Sequence, residues 1–284
     1  MQPASNNTYP NKSEIDAKKS SPISIAKYEE DKSRDCGLTE GHQQKFKFLT
    51  DGTLLKLVEQ SEYQFYNEAF FAQPTSKYYH QNQLIQKFMP KFTEVVDIEG
   101  FKYMRLSDST YGMTNPSSLD IKIGRSSVAP TYKKERAEKS KIKEDKTTIG
   151  SHGFRISGLL VKDNEGKTAL KLQSCHSIQY PETIKYMKML FTCNGTQILD
   201  SDACKYYLQQ LEEMLYFFEN VNSRYYIHAS LYFALSWKEK KRSVVLIDFA
   251  NVGPVELMGK IRDENFIWGL KNVMGAFKEI SNSA

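Results

Sequence analysis

Asp120 and Lys122 stand two positions apart in the stretch PSSLDIKIG, which runs from Pro116 to Gly124. In an extended segment such residues project from the same face, so a carboxylate and an ammonium would lie side by side. That pair suits transfer of a phosphoryl group to a hydroxyl. The lysine can stabilise phosphate charge, while the carboxylate takes the hydroxyl proton or holds the donor. A buried strand, LDIKI, with an incidental surface ion pair accounts for the same residues. Pro116 opens the segment and Gly124 closes it, where the backbone must turn or admit a close neighbour.

Other residues could join this chemistry. Lys56 ends the run GTLLK, and Glu62 opens the helix-patterned run that follows. Kinases hold donor phosphates with a strand lysine paired to a glutamate on the next helix. Two solvent-exposed charges fit this spacing equally well. Asp248 leaves the apolar run VVLI, a placement that suits a hard metal ion at phosphates, and equally a turn or a cap. His228 stands alone and reads as structural. The stretch from Tyr132 to Lys146, YKKERAEKSKIKEDK, is rich in Lys and Arg without a large apolar stripe, the ordinary mark of a solvated helix face.

These residues need a scaffold, and 284 residues with 40% hydrophobic content supply one large domain or two lobes around a cleft. The net charge of +5 fits an anionic small substrate as well as nucleic acid. No apolar run reaches the length of a membrane span, and the N-terminal residues lack the apolar core of a secretory signal. Cys36, Cys175, Cys193 and Cys204 show no CxxC spacing, so reduced thiols in a cytosolic or nuclear protein are expected.

Residues 1–35 are rich in Ser, Asn, Lys and Pro and are expected to be a disordered tail. Residues 36–108 are expected to form a small α+β lobe. It contains a hairpin turning at Thr50-Asp51-Gly52, a helix SEYQFYNEAFFA capped by Ser61, and a second hairpin turning at Glu99-Gly100. Residues 109–284 are expected to form the larger lobe. There the pattern predicts a strand GFRISGLLVK, helices around 181–191 and 201–221, a strand pair ending in SVVLIDFA, and a last helix from about Phe266 to Ile280.

The pattern P-x-x-x-D-x-K-x-G resembles the signature of the inositol polyphosphate kinase family. GTLLK followed by EYQFY, the triplet Ile247-Asp248-Phe249, and Ser230-Leu231-Tyr232 resemble further family hallmarks in the family's order. Gly41-His42 also matches. Leu106-Ser107-Asp108 resembles the hinge that receives adenine, with Ser107 where the family usually has glutamate. The likeness runs from about residue 40 to residue 280.

What the resemblance implies is a two-lobed α+β fold, protein-kinase-like with ATP-grasp-like character, and a nucleotide cleft between the lobes. It implies ATP-dependent phosphorylation of soluble inositol polyphosphates with Mg2+. Asp120 and Lys122 would be catalytic. Lys56, Glu62, Leu106, Asp108 and Ser230 would bind ATP, and Asp248 the metal. Lys122, Arg125, Lys139, Lys143 and Lys146 would bind the inositol phosphate within a segment at about 125–150. Lys146 is favoured, because K-T-T before G-F-R resembles the family arrangement.

DIKIG and the short connection to GFRISG resemble the multikinase branch, which acts on inositol tris- and tetrakisphosphates. A hexakisphosphate kinase making pyrophosphates is the alternative. A non-catalytic phosphoinositide- or nucleic-acid-binding module is the alternative of another class, and Lys56, Asp120, Lys122 and Asp248 together argue against it. A monomer without a nucleic-acid partner is expected.

Overall fold

The computed structural model describes residues 28–31, 45–163, 165–173, 178–192 and 199–282. The first sheet comes from two hairpins, β1 (Phe46–Phe48) with β2 (Thr53–Leu57), and β3 (Phe92–Ile98) with β4 (Phe101–Ser107). They join antiparallel in the order β1-β2-β4-β3. Gly52, at φ 85°, makes the first turn, and Asp51 Oδ1 closes it by accepting from Thr53 N at 3.0 Å and Thr53 Oγ1 at 2.6 Å. Both turns fall where the sequence predicts them.

Helix α1 (Gln60–Phe71) lays Phe65, Tyr66 and Ala69 inward, and α2 (Tyr79–Ile85) follows. The α1 cap differs from expectation. Glu59 is extended and occupies the N-cap position, so Ser61 falls inside the first turn, where its hydroxyl donates to the Glu59 carboxylate at 3.0 Å.

β5 (Ser117–Ile123) carries the signature. α3 (Lys134–Asp145) and α4 (Thr148–His152) connect it to β6 (Phe154–Lys162) and β7 (Thr168–Gln173). Then come α5 (Tyr180–Phe191), α6 (Ser201–Asn220), β8 (Arg224–Tyr226), β9 (Ser230–Ser236), β10 (Lys241–Ile247), β11 (Val252–Pro254) and α7 (Glu264–Asn282). The second sheet runs β10-β9-β5-β6-β7, with β5 at its centre.

Alternation along β5 explains its placement. Leu119, Ile121 and Ile123 are buried in a core shared with α5, α6 and α7. In β9, Phe233 meets Tyr207 of α6 at 5.2 Å and Phe277 of α7 at 5.1 Å between ring centres. Each side chain so buried contributes roughly 1.5–3 kcal/mol. The opposite face of the sheet is left for Asp120 and Lys122. α7 approaches β5 closely, since a Cβ on Gly269 would meet Gly124 N at 2.9 Å and also strike the Gly153 carbonyl.

Residues 28–31 fall within the stretch expected to be disordered, yet they run beside β1. Asp31 N donates to Phe48 O at 2.8 Å and Thr50 N to Glu29 O at 3.0 Å, while Tyr28 packs on the cluster around Leu49 and Leu55. The rest of that tail, with Gly41-His42, Cys36, Cys175 and Cys193, lies outside the described residues. Cys204 is a buried free thiol. No helix among the described residues is long and apolar enough to cross a membrane.

Candidate active site

The two sheets face each other over a cleft of about 780 Å³. From the first sheet β2 supplies Lys56, whose Nζ donates to Glu62 Oε1 of α1 at 2.8 Å and to Asp248 Oδ1 at 3.1 Å. From the second, Lys122 Nζ donates to Asp248 Oδ2 and to the carbonyl of His228, the latter at 3.0 Å. Asp248 therefore joins a lysine from each sheet. Its backbone turns left-handed at φ 67° as the chain leaves β10, a conformation aspartate adopts more readily than most residues. The turn also lets Phe249 N donate to Glu62 Oε1 at 3.3 Å.

The charges are strongly coupled. Burial raises the Asp248 pKa, but Lys122 and Lys56 outweigh it and hold the carboxyl well below its usual range. Of the Asp248 side chain, 36% of the surface remains accessible, and it lines the cleft, so a ligand can reach it. Burial opposes the charge on Lys56, and the Asp248 and Glu62 carboxylates overcome it and keep the lysine protonated. Glu62 itself is 2% exposed, and burial raises its pKa against the pull of Lys56.

Asp120 also lines the cleft. Burial pushes its carboxyl upward against the charge of Lys122, and Asp248 pushes the same way. Its Oδ1 is buried without a hydrogen-bonding partner, as is the Ser230 hydroxyl. Ser230 is close enough to lower the Asp120 pKa, although the two form no well-shaped hydrogen bond. Ser230 is 0% exposed. The side chain expected to bind ATP is thus buried, opposite Lys122 in the β5–β9 register and outside the cleft lining.

At the hinge Leu106 and Asp108 line the cleft. Ser107 Oγ accepts from Lys91 N at 2.8 Å. Asp108 Oδ1 accepts from Thr110 N at 2.8 Å and Thr110 Oγ1 at 2.7 Å, so this carboxylate shapes a turn.

A second cavity of about 270 Å³ adjoins the cleft, and Lys122, Arg136 and His228 line both. Arg136, Lys139 and Lys143 of α3 line it from one side and Arg155 of β6 from another. Spacings of three, four and seven put the α3 cations on one helix face. The remainder of α3 is solvated, with no buried residue, so the ordinary reading of this stretch holds for its other faces. The Glu144 carboxylate anchors the helix by accepting from Ser127 N and from Ser126 Oγ, the latter at 3.1 Å. Ser126 N in turn donates to Asn265 Oδ1 of α7 at 2.5 Å.

Two substrate candidates point elsewhere. Lys146 is the exposed C-cap of α3 and stands outside the cavity lining. The Arg125 guanidinium lies 5.3 Å from the Trp268 ring centre. Arg155 takes a place that sequence reasoning missed. It stands opposite Lys122 in the β5–β6 register, and the strand pattern of GFRISG was its only signal.

A cleft of nucleotide size, a strand lysine paired with a helix glutamate, and an adjoining cationic cavity are the features a kinase of small anionic acceptors would need. The model of the family described as inositol polyphosphate kinase matches residues 103–278. The chain belongs to that family. It is 25% identical over 231 residues to inositol polyphosphate multikinase beta of Arabidopsis thaliana, covering 72% of this chain and 73% of that one. It is 25% identical over 207 residues to the Homo sapiens inositol polyphosphate multikinase, covering 70% of this chain and 48% of that one. A shorter match to the Saccharomyces cerevisiae multikinase is 36% identical over 63 residues, 22% of this chain and 18% of that one.

Among solved structures, the fold is similar to a Saccharomyces cerevisiae inositol phosphate multikinase in complex with ADP and Mn2+. That comparison gives a TM-score of 0.65 at 22% identity, covering 80% of this chain and 98% of the other. The likeness establishes the expected α+β kinase fold.

Proposed function

We propose that this protein is an ATP-dependent kinase that phosphorylates soluble inositol tris- and tetrakisphosphates. The observation that carries the reading is the position of Lys122. Its side chain lines the nucleotide-sized cleft and the cationic cavity at once, where a donor phosphate and an acceptor hydroxyl would meet. Residues 36–108 and 109–284 act as two lobes, with the acceptor held by the segment from about 125 to 150 together with Arg155. A monomer in the cytosol or nucleus fits this reading.

Leu106 and the hinge receive the base, and Lys56, positioned by Glu62, binds donor phosphates. Asp248 and Asp120 suit Mg2+. Among the described residues no group of three or more His, Cys, Asp or Glu could hold a metal alone, and Mg2+ ordinarily takes one or two carboxylates plus substrate phosphates. The unpartnered Asp120 Oδ1 and the cleft-facing Asp248 carboxylate are hard oxygen donors of that kind. The metal, when bound, neutralises charge on the donor phosphates. Lys122 then stabilises charge on the transferred group, and Arg136, Lys139, Lys143 and Arg155 hold the ring phosphates through charge-assisted hydrogen bonds.

The test is ADP release and product chromatography with ATP, Mg2+ and a panel of inositol phosphates. Turnover of tris- and tetrakisphosphates is expected. Turnover of the hexakisphosphate alone would reassign the branch, and no ADP from any member of the panel would return the chain to a binding module.

A further inference from the structure

His228 is the residue at the seam of the two cavities that the mechanism above leaves unused. It sits between β8 and β9 in a left-handed conformation, φ 65°. The chain around it is held firmly, with Ile227 N donating to Asn251 O at 3.0 Å and Ile123 N to Ala229 O at 3.1 Å. Its own carbonyl holds the Lys122 ammonium. The ring runs 26° from parallel to Tyr132, with centres 6.2 Å apart. Tyr132 is in turn covered by the Arg136 guanidinium, 3.8 Å from its ring centre.

Most other groups around the transfer point are committed, and Asp120 faces the donor side. Lys122, Arg136 and Arg155 are cations and cannot accept a proton. Asp248 is bound to two lysines, and Glu62 to Lys56. Asp120 lines the donor cleft but is not among the residues lining the acceptor cavity. An acceptor hydroxyl attacking phosphorus can pass its proton to a base on its own side.

We propose that His228 takes the proton of the acceptor hydroxyl, a role that rests on the kinase reading given above. The hydroxyl oxygen bonds to the γ-phosphorus, and the bond from that phosphorus to the β–γ bridging oxygen breaks. Its electron pair leaves with ADP, and the proton passes to the free nitrogen of the imidazole.

The ring is kept neutral for this task. Burial and the charges of Lys122, Arg155 and Arg136 lower its pKa to about 4, against a hydrogen bond with Ser127 that raises it. The phosphates of acceptor and donor bring opposite charge to those three cations. Their arrival therefore raises the imidazole toward its ordinary value of about 6.5, where it is an effective base at neutral pH.

His228→Asn keeps a residue type that tolerates the left-handed backbone but cannot take up a proton. With inositol trisphosphate as acceptor, kcat should fall about a hundredfold or more. KM for ATP and for the trisphosphate should stay within about threefold. In the wild type kcat should decline as pH drops through roughly 6, and in the variant that acid limb should be gone. Added imidazole should restore part of the rate of His228→Gly. A variant kcat within about threefold of wild type, or an acid limb that persists in the variant, overturns the inference while leaving the kinase reading intact. Failure of the wild type to release ADP with any inositol phosphate overturns both.

Discussion

Arg155→Ala set against Lys146→Ala separates the cavity as a substrate site from the basic stretch as mere surface. Arg155 lines the acceptor cavity and stands in register with Lys122, so its fork reaches the space a ring phosphate would take. Losing one charge-assisted hydrogen bond of this type costs about 1.5–3 kcal/mol. At 1.36 kcal/mol per decade, KM for inositol trisphosphate should rise roughly 10- to 150-fold. Lys146 is exposed and outside the lining, and a screened charge at that remove is worth under about 0.5 kcal/mol, or roughly twofold. Lys162→Ala, whose ammonium bonds Thr168 Oγ1 at 2.9 Å, controls for loss of charge elsewhere. A coupled ADP-release assay gives KM for both substrates, and KM for ATP should hardly move. Raising the salt should weaken the acceptor more than ATP. Equal effects at 155 and 146, or a parallel rise in KM for ATP, would refute the assignment of the cavity.

Asp248→Asn should leave a folded protein by circular dichroism, since asparagine accepts the same backbone turn, with turnover down about a hundredfold or more. Near-normal activity would remove Asp248 from the site. Lys122→Ala should abolish transfer while ATP binding stays measurable by calorimetry, and loss of ATP binding instead would make it a donor ligand alone. Asp263 is 1% exposed and accepts from Tyr226 N at 2.7 Å and Phe266 N at 3.0 Å, yet burial raises its pKa to about 6. The folded state therefore holds this proton more tightly than the unfolded chain, so stability from this group is lost as pH rises from about 4 to 6, by up to about 3 kcal/mol. Denaturant unfolding should show that loss in the wild type relative to Asp263→Asn, and a difference that stays flat across the window would refute it.

Much of this was legible in the chain. Period-two alternation in LDIKI put Asp120 and Lys122 on one face, and the turn at Thr50-Asp51-Gly52 gave the first hairpin. Spacing alone left Lys56 and Glu62 open, and the family resemblance paired them. The larger helices announced themselves through buried stripes such as Tyr207, Leu211, Met214 and Phe218 in α6. The short elements α2, α4, β7, β8 and β11 did not, because few residues carry no readable period.

The acceptor cavity was less legible for a different reason. Which cations of α3 face inward depends on the helix rotation fixed by Glu144 and Asn265, contacts that join distant parts of the chain. The position of Arg155 depends on a strand register with an irregularity beside Asp120. The fate of Asp108 was hidden because Thr110 competes for its carboxylate.

The last residue of the signature reads differently once α7 is considered. A Cβ on Gly124 would meet Asn265 Nδ2 at 2.7 Å, and its φ of 114° suits no other residue type. Gly269, one turn further along the same face of α7, abuts Gly124 and Gly153. The motif's closing glycine is thus a bearing surface for the C-terminal helix as well as part of the cavity wall beside Lys122. A map of tolerated substitutions would show three intolerant glycines forming one contact, far apart in sequence and silent in any chemical step. Damage at any of them would first be felt as a displaced acceptor wall.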